Sequence, residues 1–233
     1  MRLHRFYQDQ PIDSDIIKIL DEELVHQWKN VFRYLVGGQV IIFNGDGYDY
    51  LCMITELNRK SALLSVISRK NSVLSERTIG IIISLIKKDN MELIIQKATE
   101  LGVTHIFPVI SERSEKKSLN MVRAHKIAVE ASEQSGRGDV LEIAEEISLE
   151  DLLANDVLDQ FEGKVVFHPQ GEVFQPLSYD KQSVVIAIGP EGGFSDRELV
   201  LLAQHDFKQY CLGPRTLRAE TAAIVGATLV VLG

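Results

Sequence analysis

Two short runs near the C-terminal end hold the residues most suited to chemistry: Ile188-Gly189-Pro190-Glu191-Gly192-Gly193-Phe194 and Leu212-Gly213-Pro214-Arg215-Thr216-Leu217-Arg218-Ala219-Glu220-Thr221. Both contain Gly-Pro, where glycine lets backbone approach a ligand closely and proline stiffens the turn while removing one donor. The second run adds two arginines and then opens a helix with an acid and a threonine, favourable at the positive helix end. No Lys-Ser or Lys-Thr follows the first run and neither matches G-x-G-x-x-G, so generic phosphate binding loses ground. Such a pair of loops can hold a flat ring and a bent tail between backbone amides and carbonyls. The plainer alternatives are a tight turn for the first run, and surface pairing of Arg215 and Arg218 with Glu191 or Glu220 for the second.

The elements that must position these loops read as strands alternating with helices, the pattern of a largely parallel sheet covered on both faces. Strands are predicted over 79–86, 105–109, 164–168, 184–188 and 209–212, nearly all apolar. Helices are predicted over 90–101 with Gly102 as stop, 119–135 with Gly136 as stop, 149–154 with Ser148 as N-cap, from a Ser195–Glu198 capping box, and from about 220 to 232. The last is apolar nearly all round and must be buried, inside the domain or against a second subunit. Before residue 70 the pattern is different. A hairpin is predicted from 39–43 and 48–55 around Asn44-Gly45-Asp46-Gly47, with another strand over 63–67. One helix is expected from Asp21 to about Tyr34, and the polar stretch Ser68–Ser72 suggests a boundary. The reading is a β-rich domain over 1–70 and an α/β domain over 71–233.

Composition bounds the partners. With 233 residues and 45% hydrophobic content, the chain can build one core and a smaller second one. There is no run of eighteen apolar residues, and Met1–Tyr7 lacks the apolar stretch of a signal peptide, so a cytoplasmic protein without a membrane span is expected. The net charge of −8 excludes broad charge-driven nucleic-acid binding, so any such contact is patchy. The first 70 residues are electrically balanced, and a local basic group runs through Arg113, Lys116, Lys117, Arg123 and Lys126. Cys52 and Cys211 lie outside any C-x-x-C spacing and read as reduced core thiols. His4, His26, His105, His125 and His205 have no metal-ligand spacing among them, and no metal is expected.

Lys87–Glu92, Gln96–Val103, Ser111–Ser114, Glu130–Arg137 and the two Gly-Pro runs together resemble the bacterial 16S ribosomal RNA uracil-N3 methyltransferase family of the SPOUT superfamily. Arg2, Arg5, Phe6, Val31-Phe32-Arg33 and Val36-Gly37 extend the resemblance to that family's PUA-like N-terminal domain. The resemblance implies a trefoil-knotted α/β domain with a parallel sheet, a small PUA-like β-barrel, a homodimer, S-adenosylmethionine as cofactor, and 16S rRNA of the small ribosomal subunit as substrate. It implies a cofactor pocket of His168, Pro169, Gly171, Ile188, Gly189, Pro190, Glu191, Gly192, Leu212, Gly213, Pro214 and Leu217. Arg113, Glu133, Gln134, Arg137, Arg218 and Glu220 match positions facing the target base.

Within that reading, Arg218 is the candidate stabiliser of developing negative charge, and Glu220 or Glu133 positions or deprotonates the base. Arg2, Arg5, Arg33 and Arg113 are candidate phosphate contacts, with Gln134 and Arg137 also on the RNA side. For Arg2 and Arg5, pairing with Asp9 or Asp49 is the structural alternative. A ribose 2′-oxygen or a tRNA guanine as methyl acceptor, and a noncatalytic RNA-binding role, stay open as competing functions.

Overall fold

In the α/β part of the chain successive strand residues enter two different cores, which is why the strands read as unbroken apolar runs. The computed structural model describes residues 3–115, 118–175 and 181–232. The chain divides into two compact units, one of Met1–Leu74 with Ser132–Asp139 and one of Ser75–Ala131 with Val140–Gly233.

The first unit is a curled five-stranded sheet in the order β1-β3-β4-β5-β2, formed by β1 (Arg5–Tyr7), β2 (Ile16–Ile19), β3 (Gln39–Phe43), β4 (Tyr48–Leu57) and β5 (Ala62–Asn71). The hairpin of β3 and β4 forms where Asn-Gly and Asp-Gly are found, with Gln39 opposite Met53 and Ile42 opposite Tyr50. Two expectations change. Ser68–Asn71 continue β5, paired with Tyr48–Leu51, because the hairpin's long arm supplies partners for them. Helix α1 (Glu22–Asn30), capped by the Asp21 side chain, ends four residues before Tyr34. Phe32 and Tyr34 instead turn back onto an aromatic cluster, 4.5 Å from His4 and 6.3 Å from Trp28 between ring centroids, through Arg33 at φ 55°. Val25 and Trp28 of α1 are buried, whereas Val31 and Leu35 beyond its end stay exposed. The short β1 and β2 escaped the sequence reading, since three or four residues carry little alternation.

The second unit is an all-parallel sheet in the order β12-β10-β11-β6-β7-β8, with β9 also paired to β7. Its strands are β6 (Thr78–Ser84), β7 (His105–Ile110), β8 (Glu142–Ile143), β9 (Ile147–Ser148), β10 (Gly163–Val173), β11 (Ser183–Ile188) and β12 (Lys208–Cys211). Ile79, Ile81, Ile83, Val184 and Ile186 pack into one core with α2 (Lys88–Leu101), α3 (Met121–Ser135) and α6 (Ala219–Leu232). Ile82, Val185 and Ala187 point into the other, with α4 (Leu149–Leu153) and α5 (Asp196–Gln204). The capping signals act as read: Gly102 ends α2 in a left-handed conformation, Ser148 caps α4, and Ser195 with Glu198 forms both bonds of a capping box on α5. Both cysteines are free and buried. Among the described residues no helix is long and apolar enough to cross a membrane, and none of their His, Cys, Asp and Glu side chains group to hold a metal.

Candidate active site

Strand order reverses at β10. The chain passes from β10 to its neighbour β11, then returns through α5 to place β12 on the other flank of β10. At such a switch point the loops leaving the strands' C-terminal ends splay apart and leave a crevice. Here the crevice is a cavity of about 420 Å³, lined from three loops: Phe167–Pro169 after the first part of β10, Ile188–Phe194 after β11, and Cys211–Gly213 with Arg215–Ala219 after β12. That volume is in the range of small-molecule sites. The two Gly-Pro runs therefore enclose one hollow.

The first of these loops is an excursion from a strand. Phe167 and Glu172 both pair with Tyr210, so His168, Pro169, Gln170 and Gly171 loop out of the ladder. Gly171 does not line the cavity; a Cβ there would lie 2.4 Å from the Tyr210 backbone, so it is the residue that lets the excursion close. Gly189 acts similarly, since a Cβ would meet the Phe194 nitrogen at 2.8 Å. Pro214 is exposed and also off the lining. The lining includes apolar Ile188, Phe194, Leu212, Leu217 and Ala222 and the ionisable residues His168, Glu191, Cys211, Arg215 and Arg218. Such a wall suits a ligand with a flat ring and a short charged tail.

At the mouth, the Arg218 side chain is 86% exposed and 4.0 Å from Glu220. Glu220, in the first turn of α6, is buried and accepts a hydrogen bond from Asn90 Nδ2 at 3.3 Å. Asn90 lies within Lys87–Glu92, and nothing in its residue type announces a partner 130 positions away. Arg218 lines the cavity and Glu220 does not; the exposed cation can stabilise an anion there, and the carboxylate beside it is held by Asn90.

A family model described as an RNA methyltransferase domain matches residues 74–231, and one described as an RNA methyltransferase PUA domain matches residues 20–67. The chain belongs to the RNA methyltransferase family. It is 30% identical to Ribosomal RNA small subunit methyltransferase E of Rickettsia conorii, over 99% of this chain and 96% of that protein. It is 34% identical to the Bacillus subtilis protein of the same name, over 94% of this chain and 90% of that protein. The crystal structure of Ribosomal RNA small subunit methyltransferase E from Neisseria gonorrhoeae bound to S-adenosyl methionine superposes with a TM-score of 0.88 at 27% identity, covering 97% of this chain and 95% of that one. This methyltransferase fold thus extends over both units.

In this RNA methyltransferase several residues expected on the RNA side have other partners. Arg5 is a structural cation: its Nη2 lies 2.7 Å from Asp49, it donates to the carbonyls of Ser132 and Arg137, and it sits 4.2 Å over the Phe43 ring. Arg137 is buried in a two-pronged pair with Asp139 at 2.9 and 2.7 Å. Glu133 accepts the Tyr7 backbone N–H at 2.9 Å. The reason is shared. Ser132–Asp139 is grouped with the first unit, where Arg5 and Glu133 satisfy backbone groups and Arg137 pairs with Asp139. Arg113 donates to the Gly192 carbonyl at 2.7 Å, and Arg123 pairs with Glu92 at 3.0 Å, which raises the arginine pKa and lowers that of the carboxyl. Arg33 and Gln134 are exposed. Arg2, Lys116 and Lys117 lie outside the described residues.

Proposed function

We propose that the chain methylates N3 of one uridine in 16S rRNA of the small ribosomal subunit, with S-adenosylmethionine in the cavity of the three loops. The observation that carries this reading is the single hollow between the two Gly-Pro runs with Arg218 at its mouth. The residues present fit the cofactor: close backbone around Gly189, an apolar wall for the adenine, and His168-Pro169 looped out of β10 to close one side. When bound, S-adenosylmethionine supplies an already electrophilic methyl group, so the protein's task is geometry and charge, not acid activation.

Uracil N3 carries a weakly acidic proton that must leave. Arg218 stabilises the negative charge spreading onto the neighbouring uracil oxygens, and Glu220, held by Asn90, takes or orients the proton. Exposed Arg33 and Gln134 are RNA-contact candidates. The reading includes a cytoplasmic homodimer with a trefoil-knotted α/β domain, pairing through α6, where Ile224, Val225 and Leu229 are only partly covered and Leu232 is exposed.

Small subunits from cells lacking this protein, incubated with the purified chain and S-adenosylmethionine, test the reaction. Methylation at N3 removes a Watson–Crick donor, so reverse transcription stops at one uridine in the treated subunits. A methyl found on a ribose 2′-oxygen, or on tRNA instead, overturns the assignment.

A further inference from the structure

We propose that Arg113 is a positioning residue for the Ile188–Phe194 loop and sets cofactor affinity, instead of gripping RNA phosphate. The proposal rests on the reading that this cavity holds S-adenosylmethionine. Arg113 stands in the turn that follows β7, and that turn is self-closed: Ser111 N–H donates to Ser114 Oγ at 3.1 Å, and the two buried hydroxyls lie 2.8 Å apart. A turn fixed in this way presents its third residue in one direction. Arg113 Nη1 donates to the Gly192 carbonyl at 2.7 Å, and the side-chain stem lies along Gly192, where an added Cβ would sit 3.3 Å from Arg113 Cδ.

A second, buried tie joins the same two segments. Glu198 is 3% exposed, and its carboxylate is divided between them, one oxygen accepting the Glu112 N–H at 2.9 Å and the other the Ser195 N–H at 2.8 Å. A carboxylate buried with both oxygens engaged by backbone donors is a rigid bracket. It fixes the base of the loop, while Arg113 fixes its tip. The tip needs this, because Gly192 and Gly193 together carry no side chain that could pack, and the turn is closed by a bond from Gly193 N–H to the Pro190 carbonyl. Without the guanidinium the Gly192 carbonyl loses its charged donor, and the free loop samples more backbone states that binding must then remove.

The test compares Arg113→Ala and Arg113→Lys with the wild type. The Kd for S-adenosylmethionine is measured by calorimetry with no RNA present, and the KM for small subunits at saturating cofactor. Loss of a charge-assisted contact at the exposed edge should raise the cofactor Kd of Arg113→Ala about tenfold, with partial recovery in Arg113→Lys and an unchanged KM for subunits. An unchanged cofactor Kd overturns the proposal, whether the KM for subunits rises, marking Arg113 as an RNA contact, or stays the same. No cofactor binding by the wild type removes the reading of the cavity and the proposal with it, a result recognisable because it does not depend on the variant. Glu198→Gln, which keeps the shape of the bracket but replaces one acceptor oxygen with a donor, should weaken cofactor binding in the same RNA-free assay.

Discussion

Arg5 and Arg218 are the same residue type in opposite settings in two regions of the molecule. In the first unit Arg5 is 10% exposed, paired with Asp49 at 2.7 Å, stacked on Phe43 and bonded to two carbonyls. Its charge is spent inside the fold, where a planar guanidinium can serve several acceptors at once. At the cavity mouth Arg218 is 86% exposed, with one carboxylate at the 4.0 Å limit of an ion pair. A solvated cation contributes little to stability, which leaves it available for charge that arises only during a reaction. Burial separates them.

Stability measurements give the sharpest break of this comparison. Removing one member of a buried, hydrogen-bonded pair strands the other, so Arg5→Ala or Asp49→Ala should lower the unfolding free energy by about 3–5 kcal/mol. Arg218→Ala in the same denaturant titration should stay within about 0.5 kcal/mol. Equal losses for Arg5→Ala and Arg218→Ala would show that the contrast in burial carries no contrast in energy.

Turnover should reverse the ranking. With cofactor Kd monitored separately, Arg218→Ala should lower kcat about 100- to 1,000-fold, the cost of deleting a preorganised donor to developing charge. Cofactor affinity should hardly change, because charge on the base develops after binding. If single-turnover methylation by Arg218→Ala matched the wild type, the exposed arginine would have no part in the chemistry, and the surface pairing with Glu220 would be its whole role.

How far the sequence foretold this layout depends on the range of the interaction. The parallel sheet, the helix caps and the two Gly-Pro loops were legible because their signals are local: an apolar run such as Ile79–Ile83, a Ser195 three residues before Glu198, a proline after glycine. The closure of those loops around one hollow followed from strand ends and the switch-point rule. What stayed hidden depends on distant partners. Local spacing marks Glu198 as a cap but not as the acceptor of Glu112 N–H across 86 positions. Asn90 meets Glu220 across 130. Glu133 and Arg137, read as facing the target base, satisfy backbone and Asp139 in the first unit. Gly171 was read as pocket lining, yet its necessity comes from Tyr210 on the neighbouring strand. Charge and residue type state what a side chain can do; only the tertiary neighbour decides whether that capacity is used up internally.

The smallest effect concerns pH and again separates the regions. In the first unit the Tyr50 hydroxyl donates to Asp46 at 2.7 Å; burial, and then this carboxylate, push its pKa up from 10.0 to about 12. Burial alone takes the Cys52 thiol from 9.0 to about 12. Both groups bind their protons more tightly folded than unfolded. Their contribution is therefore complete below the unfolded values and is lost as pH climbs through the window up to about 12. Unfolding free energy should fall from about pH 9 upward as Cys52 enters its window, and more steeply above about pH 10 as Tyr50 joins it. Tyr50→Phe should cost about 0.5–1.5 kcal/mol at neutral pH through the lost hydrogen bond, and it should flatten only the segment above pH 10. An alkaline slope unchanged by Tyr50→Phe would mean that the phenol titrates alike in both states, and that the interior of the first unit holds Arg5 tightly without holding the tyrosine proton.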